Sequence, residues 1–193
     1  MQATEHQLRG SVLLPLARAA IARELGRPRA ADDTAPWLRE TGACFVTLTQ
    51  QGGLRGCIGT LEAHRPLRDD VRANALAAAF RDPRFAPLSA RELERTEVEV
   101  SLLSPMQPLQ FGSEAEALAQ LRPGADGLVF EYGGRRSTFL PQVWEQLPDA
   151  EDFLAQLKRK AGLPPSFWHE QVRLRRYTVS KWKERELRLA PTA

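Results

Sequence analysis

The chain has 193 residues, of which 42% are hydrophobic and 26% charged, so it has an ordinary globular composition and is long enough to bury a core. Its formal net charge of +3 argues against nucleic acid as a partner, and no apolar run approaches the ~20 residues of a membrane span. Two cysteines, Cys44 and Cys57, are too few for a disulfide framework, and no secretory signal is visible. We therefore expect a cytoplasmic protein with free thiols.

The N-terminal segment predicts an amphipathic helix. Apolar residues recur at helical spacing from Leu13 to Leu25. Pro15 is compatible with this helix if it lies in the first turn, where its missing N–H costs no hydrogen bond. Gly26 and Pro28 follow the last apolar position and are typical of a helix end.

A β-hairpin is predicted next. Residues 43–49 and 54–60 are strand-like runs on either side of the turn sequence Gln50-Gln51-Gly52-Gly53. A tight turn there pairs Thr49 with Leu54, Val46 with Cys57 and Cys44 with Gly59. In that register the two cysteines are not opposite each other, which argues against a disulfide between them.

A second helix, a short helix and a strand complete the first half. The second helix opens at Pro66 and is stopped by Asp82-Pro83. Ser89 and Glu92 form a capping box, which predicts a short helix. The segment from Glu97 to Leu103 alternates between polar and apolar residues, as a half-buried strand does.

The second half has a similar order of elements. Residues 104–112 form a proline-containing connection and are the expected seam between two halves. A helix follows, then a hairpin around Gly133-Gly134, then a helix that Asp149 caps and Gly162 closes. The last predicted strand covers residues 172–179, and the tail beyond it is polar and highly charged.

These elements predict the fold class. Hairpins require antiparallel pairing, and helices placed between them indicate an α+β protein rather than a doubly wound sheet. We expect two closely packed subdomains, each with an antiparallel sheet flanked by helices, within a single domain over residues 1–193. The similar order of elements suggests an internal structural duplication.

The segment Leu54-Arg55-Gly56-Cys57-Ile58-Gly59 is the strongest candidate for a functional site. In a strand, Arg55, Cys57 and Gly59 share one face. A nearby positive charge favours the thiolate form of cysteine, which is the form that attacks electrophiles. The alternative is that Cys57 is a small buried hydrophobe. Gly56 and Gly59 indicate either close approach of a ligand to the backbone, or a bulge or tight packing against a helix.

Two further polar pairs could belong to the same site. Glu99 and Ser101 share a strand face, which either borders a cleft or faces solvent. In the first case Glu99 acts as a base or as the partner of Arg55. Asp82 and Arg84 follow the second helix and either bind an anion or form a structured turn.

Metal and cofactor motifs are not recognisable in the sequence. His64 is the one histidine close in sequence to Cys57, so a Cys/His pair is an option. No set of side chains has zinc-ligand spacing, and there is no glycine-rich dinucleotide motif, phosphate-binding loop or serine nucleophile motif. We therefore expect no metal site and leave the cofactor unassigned.

Several segments carry a family resemblance. They are Phe45-Val46-Thr47-Leu48, residues 54–59, Asp82-Pro83-Arg84-Phe85, residues 97–103, Leu140-Pro141-Gln142-Val143 and Lys160-Ala161-Gly162-Leu163. In this order and spacing, over residues 43–177, they resemble the AMMECR domain family, whose prokaryotic members are called AmmeMemoRadiSam system protein A. The resemblance implies an α+β fold of two closely packed subdomains, with residues 55–59 as the signature and active-site region.

The resemblance also implies a genomic association with a Memo-like protein and a radical-SAM protein, but no reaction. Many relatives carry a cysteine where this chain has Lys158. Two functions remain open: an enzyme with Cys57 as nucleophile, and a binding or adaptor module for such partners. The residues expected to bind a substrate, or a small anionic ligand, are Arg55, Gly56, Gly59, Asp82, Arg84, Glu99 and Ser101.

Overall fold

The computed structural model describes residues 2–189, with side chains over residues 5–186. The helices in this range are α1 (Gln2–Glu24), α2 (Leu67–Phe80), α3 (Glu114–Ala119), α4 (Ala150–Lys160) and α5 (Glu184–Leu189). The strands are β1 (Thr41–Gln50), β2 (Gly53–Gly59), β3 (Arg65–Pro66), β4 (Glu97–Leu103), β5 (Gln107–Pro108), β6 (Gly127–Tyr132), β7 (Arg135–Phe139), β8 (Arg173–Tyr177) and β9 (Val179–Lys183). Helices and two antiparallel sheets confirm the α+β prediction.

The first of two compact units contains residues 2–103 and 180–189. Its sheet has the strand order β2-β1-β4-β9, with β3 paired to β1. Val46, Leu48, Val98 and Val100 form a core with α1 and α2 on one face of this sheet. Because side chains alternate along a strand, the residues between them lie on the opposite face.

Pro15 lies inside α1, well beyond its first turn, so the condition under which it was expected to fit the helix is not met. The upstream turns of α1 contain few apolar residues, and their helical pattern is therefore weak in the sequence. The predicted end of this helix is confirmed. Gly26 has a φ of +69°, its N–H donates to the Arg23 carbonyl at 3.1 Å, and the Arg27 N–H donates to the Ala22 carbonyl at 2.8 Å. This is the Schellman arrangement of a helix end.

The structure beyond residue 177 also differs from the prediction. The strand predicted over residues 172–179 is two strands, β8 and β9, which belong to different sheets. The predicted polar tail continues as β9 and α5. Trp182 is buried in the first unit, donates its Nε1–H to the His6 carbonyl at 2.8 Å and lies against Gly10. One buried tryptophan thus anchors a strand whose other residues are mostly polar.

The hairpin of β1 and β2 forms with a register that differs from the prediction. Its turn is Gln51-Gly52, with the positive φ values of 51° and 80° that a tight hairpin needs. Thr49 pairs with Leu54 as predicted, but Leu48 then pairs with Gly56, so Arg55 is the extra residue of a β-bulge. The other two predicted pairs are therefore wrong. The observed pairs are Thr47 with Cys57 and Phe45 with Gly59.

The second compact unit covers Ser104–Val179 and has the strand order β5-β8-β6-β7. Leu128, Phe130 and Leu174 of its sheet join Phe153 and Leu157 of α4 in a separate core. As predicted, the Asp149 side chain caps α4, accepting the Glu151 N–H at 2.8 Å, and Gly162 follows the helix end with a φ of +76°.

Candidate functional site

Strand β2 lies at the edge of the first sheet, and two side chains hold its exposed backbone at Cys57. The Cys57 N–H donates to Asp82 Oδ2 at 2.9 Å, and Arg84 Nη2 donates to the Cys57 carbonyl at 3.2 Å. Arg84 also donates to Asp82 from Nε at 2.9 Å and from Nη2 at 2.7 Å. This ion pair takes the place of a neighbouring strand and thereby protects the edge. Asp82 and Arg84 therefore position Cys57 from a structured turn.

The Asp82 carboxylate remains charged in this arrangement. The Arg84 guanidinium and the Cys57 N–H together hold the pKa of Asp82 well below its usual range. Hydrogen bonding to Asp82 in turn raises the pKa of Arg84. The Cys57 N–H is engaged by Asp82, so it is not a free donor for a substrate oxyanion.

Close packing accounts for both glycines of the segment. A Cβ on Gly56 would collide with the Ala78 carbonyl of α2, and a Cβ on Gly59 would collide with the Phe45 ring across the hairpin. Of the alternatives open from the sequence, the structure shows tight packing at both positions. This observation does not require a ligand.

Arg55, the bulge residue, is paired with Glu92. Its Nε donates to Glu92 Oε1 at 3.1 Å, and its guanidinium lies 5.9 Å from the centre of the Phe85 ring. Its Nη1 atom is buried and has no hydrogen-bond partner in the described part of the chain. The prediction that Glu99 is the partner of Arg55 is therefore wrong, because the bulge and the loop after α2 bring Arg55 to Glu92 instead.

Sequence reasoning missed Glu92 as a site residue, although its capping-box spacing was recognised. Glu92 Oε2 accepts hydrogen bonds from the Ser89 N–H and from Ser89 Oγ, both at 2.8 Å. The Ser89 N–H is the main cause that lowers the pKa of Glu92 to about 2, and Arg55 adds to it. The predicted short helix is only a 3₁₀ turn, Leu93–Arg95. The capping box orients a carboxylate toward Arg55.

Three polar side chains form a row across neighbouring strands on the sheet face opposite α1 and α2. Cys57 of β2 pairs with Thr47 of β1, which pairs with Glu99 of β4. Cys57 Sγ lies 3.2 Å from Thr47 Oγ1, and the thiol residue is half-buried. Lys181 and Lys183 of β9 contact the Glu99 carboxylate at 3.4 and 3.7 Å.

The other predicted site residues have different surroundings. Ser101 is buried and lies opposite Phe45, two positions along β4 from Glu99. His64 is exposed, and its Nδ1 bonds the Glu62 carbonyl at 3.0 Å, so its ring is engaged within its own loop. Within residues 2–189, no group of three or more histidine, cysteine or acidic side chains is arranged to hold a metal ion.

Cys44 differs sharply from Cys57. It belongs to the buried core on the helical face, where burial is the main cause that raises its pKa. Both cysteines are free thiols.

A buried polar cluster next to Cys44 also escaped prediction. Asp70 of α2 is fully buried. Its carboxylate accepts hydrogen bonds from the Cys44 N–H at 2.9 Å, from Thr60 Oγ1 at 2.7 Å and from Arg65 Nε at 2.8 Å. Asn74, one turn along α2, donates to Asp70 at 3.0 Å. The signal was present in the sequence, because these two polar residues occupy the helix face that also carries Leu67 and Val71. The cluster holds the chain just after β2 in place.

Comparisons with known proteins agree with this architecture. The family model described as AMMECR1 matches residues 14–182. A protein of Methanothermobacter thermautotrophicus is 41% identical, with 91% of this chain and 94% of that protein covered. Protein MJ0810 of Methanocaldococcus jannaschii is 37% identical, with coverages of 93% and 92%. The crystal structure of the uncharacterized protein PH0010 from Pyrococcus horikoshii has a TM-score of 0.76 and 36% identity, covering 91% of each chain.

Proposed function

Because this chain belongs to the AMMECR1 family, and because its structure aligns a thiol, a hydroxyl and a carboxylate across three strands, we propose that it is a cysteine-dependent enzyme. Cys57 is the nucleophile in this proposal. The observation that carries it is the 3.2 Å contact between Cys57 Sγ and Thr47 Oγ1 on a half-buried strand face. Either atom can be the donor in this contact, and the proposal takes the Thr47 hydroxyl as the donor, because a hydroxyl that donates to sulfur stabilises the reactive thiolate form.

The arginines near the thiol indicate the kind of substrate. Arg84 donates to the Cys57 carbonyl, and the Asp82 carboxylate that it pairs with offsets its charge, so Arg84 positions Cys57 and adds no net positive charge. Arg55 contributes a buried Nη1 atom that has no hydrogen-bond partner in the described residues. This atom is closed to solvent, so a ligand reaches it only when the surrounding side chains move, and an anionic group is the chemistry that suits a guanidinium. The proposed substrate is therefore a small anionic molecule.

Selective alkylation tests this function, with Cys44 as an internal control. We expect iodoacetamide to modify one thiol in the folded protein, to modify Cys44→Ser equally and to leave Cys57→Ser unmodified. Thr47→Val removes the hydroxyl beside sulfur and should slow the reaction by about tenfold, the equivalent of one hydrogen bond worth ~1.4 kcal/mol. Thr49→Val is the matched control on the same strand face. Equal rates in the two threonine variants would contradict an activated thiol.

The charge of the substrate has its own test. Iodoacetate carries a carboxylate, whereas iodoacetamide is neutral and of similar size. Relative to a small thiol in solution, we expect Cys57 to favour iodoacetate, and we expect Arg55→Ala to reduce that preference. An unchanged preference in Arg55→Ala would argue against Arg55 as the anion-binding residue while leaving thiol reactivity as a separate result.

A second candidate function is a non-catalytic binding or adaptor module, with a Memo-like or radical-SAM protein as partner. The packing explanation for Gly56 and Gly59 favours it, because those glycines are accounted for without a substrate. In this case Cys57→Ser keeps partner binding in a pull-down and Arg55→Ala loses it. Equal loss in both variants, with the fold intact by circular dichroism, would rule this version out.

The cellular setting is part of the proposal. Two free thiols are consistent with a reducing compartment, and we propose a cytoplasmic location. Within the described residues, no helix has the length and apolar character needed to cross a membrane.

A further inference from the structure

A groove in the first unit lies on the helical side of the sheet, whereas Cys57 is on the other side. It is bordered by α1, α2 and the segment around residues 28–31, and its volume is about 590 Å³. Pockets that bind small molecules have volumes of ~300–1,000 Å³. The groove is therefore large enough for a ligand, and the proposed thiol chemistry does not use it.

The floor of the groove is apolar. Leu16, Ala19 and Ala20 of α1 face Leu76 of α2 across it. The two alanines are only partly buried, so small side chains leave room between the helices at this point. A hydrocarbon segment needs no hydrogen-bonding partner and gains free energy when it leaves water for such a surface.

The rim of the groove is charged. It carries three arginines, Arg23, Arg29 and Arg72, and one acidic residue, Glu24. Arg72 is paired with Asp33 at 2.6 Å, and Arg29 is paired with Glu94. Arg23 is exposed and makes no ion pair or side-chain hydrogen bond with the described part of the chain. One guanidinium is thus available at the end of an apolar floor.

We propose that this groove binds a single-chain amphiphile with an anionic head group, namely a medium-chain carboxylate. The alkyl chain lies on the alanine floor between α1 and α2. The carboxylate pairs with Arg23, whose planar guanidinium can donate two parallel hydrogen bonds to it. A neutral alkyl chain would form no ion pair with Arg23, and a short anion would leave the apolar floor exposed to water. Charge and apolarity together therefore select this class of ligand.

Titration calorimetry with decanoate, below its micelle concentration, tests the proposal. We expect 1:1 binding to the full chain, with decanol and acetate binding at least about tenfold more weakly because each lacks one of the two interactions. Binding of decanol as tightly as decanoate would overturn the proposal, as would the absence of decanoate binding.

Three variants test the location of the site. Arg23→Gln should weaken decanoate about tenfold, and Arg27→Gln, an exposed arginine close by that does not line the groove, should leave it unchanged. Ala19→Trp places an indole on the floor and should abolish binding. Ala19 is not part of the main core, and circular dichroism will show whether this variant folds. Equal affinities for the two arginine variants, or decanoate binding by folded Ala19→Trp, would refute the assignment.

Discussion

Gly56→Ala distinguishes the packing explanation of the signature segment from the ligand explanation. The added methyl group points at the Ala78 carbonyl of α2, which is backbone and cannot rotate away. Over-packing of a core typically costs about 1–3 kcal/mol, and a rigid neighbour places this change at the upper end. For a chain of this size, 1 kcal/mol shifts Tm by ~2–4 °C, so we expect a Tm lower by about 6–12 °C.

Gly53→Ala is the matched control in the same strand. Its added Cβ would lie 3.4 Å from the Gln50 carbonyl, close to an ordinary contact, so we expect a change within about 0.5 kcal/mol. Urea unfolding followed by circular dichroism gives the free energy of unfolding for both variants. If Gly56→Ala is as stable as Gly53→Ala, the packing argument is refuted. If Gly56→Ala is stable but its thiol no longer reacts, Gly56 serves ligand access rather than packing.

Three further predictions concern charges that the fold buries or perturbs. Asp70→Ala leaves several donors without their acceptor and should lower the free energy of unfolding by about 3–5 kcal/mol. Asp69→Ala, at the half-exposed neighbouring position, should cost less than about 1 kcal/mol, and similar urea midpoints for the two variants would contradict the role of Asp70. Because folding lowers the pKa of Glu92 to about 2, the ionised carboxylate contributes fully to stability above its unfolded pKa of ~4.3, and this contribution is lost as pH falls toward 2. The difference in free energy of unfolding between wild type and Glu92→Gln should therefore narrow over this range. A difference that stays constant would refute the linkage. Lys158 is buried and pairs with Glu114. Glu114→Ala leaves the buried ammonium unpaired and should destabilise the fold by about 3 kcal/mol, whereas Lys158→Met removes the buried charge and should be nearly neutral. Thermal unfolding that ranks the two variants in the reverse order would contradict this pairing.

Local sequence signals were sufficient to predict much of the fold. Gly26 ends α1, Asp149 caps α4, and the turn at Gln51-Gly52 closes the first hairpin, all as predicted. Each of these depends on a few neighbouring residues whose backbone preferences are strong. The α+β class follows from them, because hairpins and interspersed helices leave few other architectures.

Distant contacts explain the errors. Strand β9 escaped prediction because its anchor, Trp182, packs against Gly10, far away in the chain. The bulge at Arg55 shifted the hairpin register by one, and nothing in the turn sequence encodes that shift. A single extra residue changed the partner of Cys57 from Val46 to Thr47, and with it the chemistry beside the thiol.

The segment from Leu54 to Gly59 shows the same division. Its residue types were enough to identify a candidate site, because an arginine, a cysteine and two glycines in one strand are unusual. The partners of those residues come from other elements: Glu92 binds Arg55, Asp82 and Arg84 hold the Cys57 backbone, and α2 packs on Gly56. Sequence spacing specifies which side chains share a strand face, but only the folded chain determines which distant groups reach them, since hydrogen bonds and ion pairs act over a few ångströms of space.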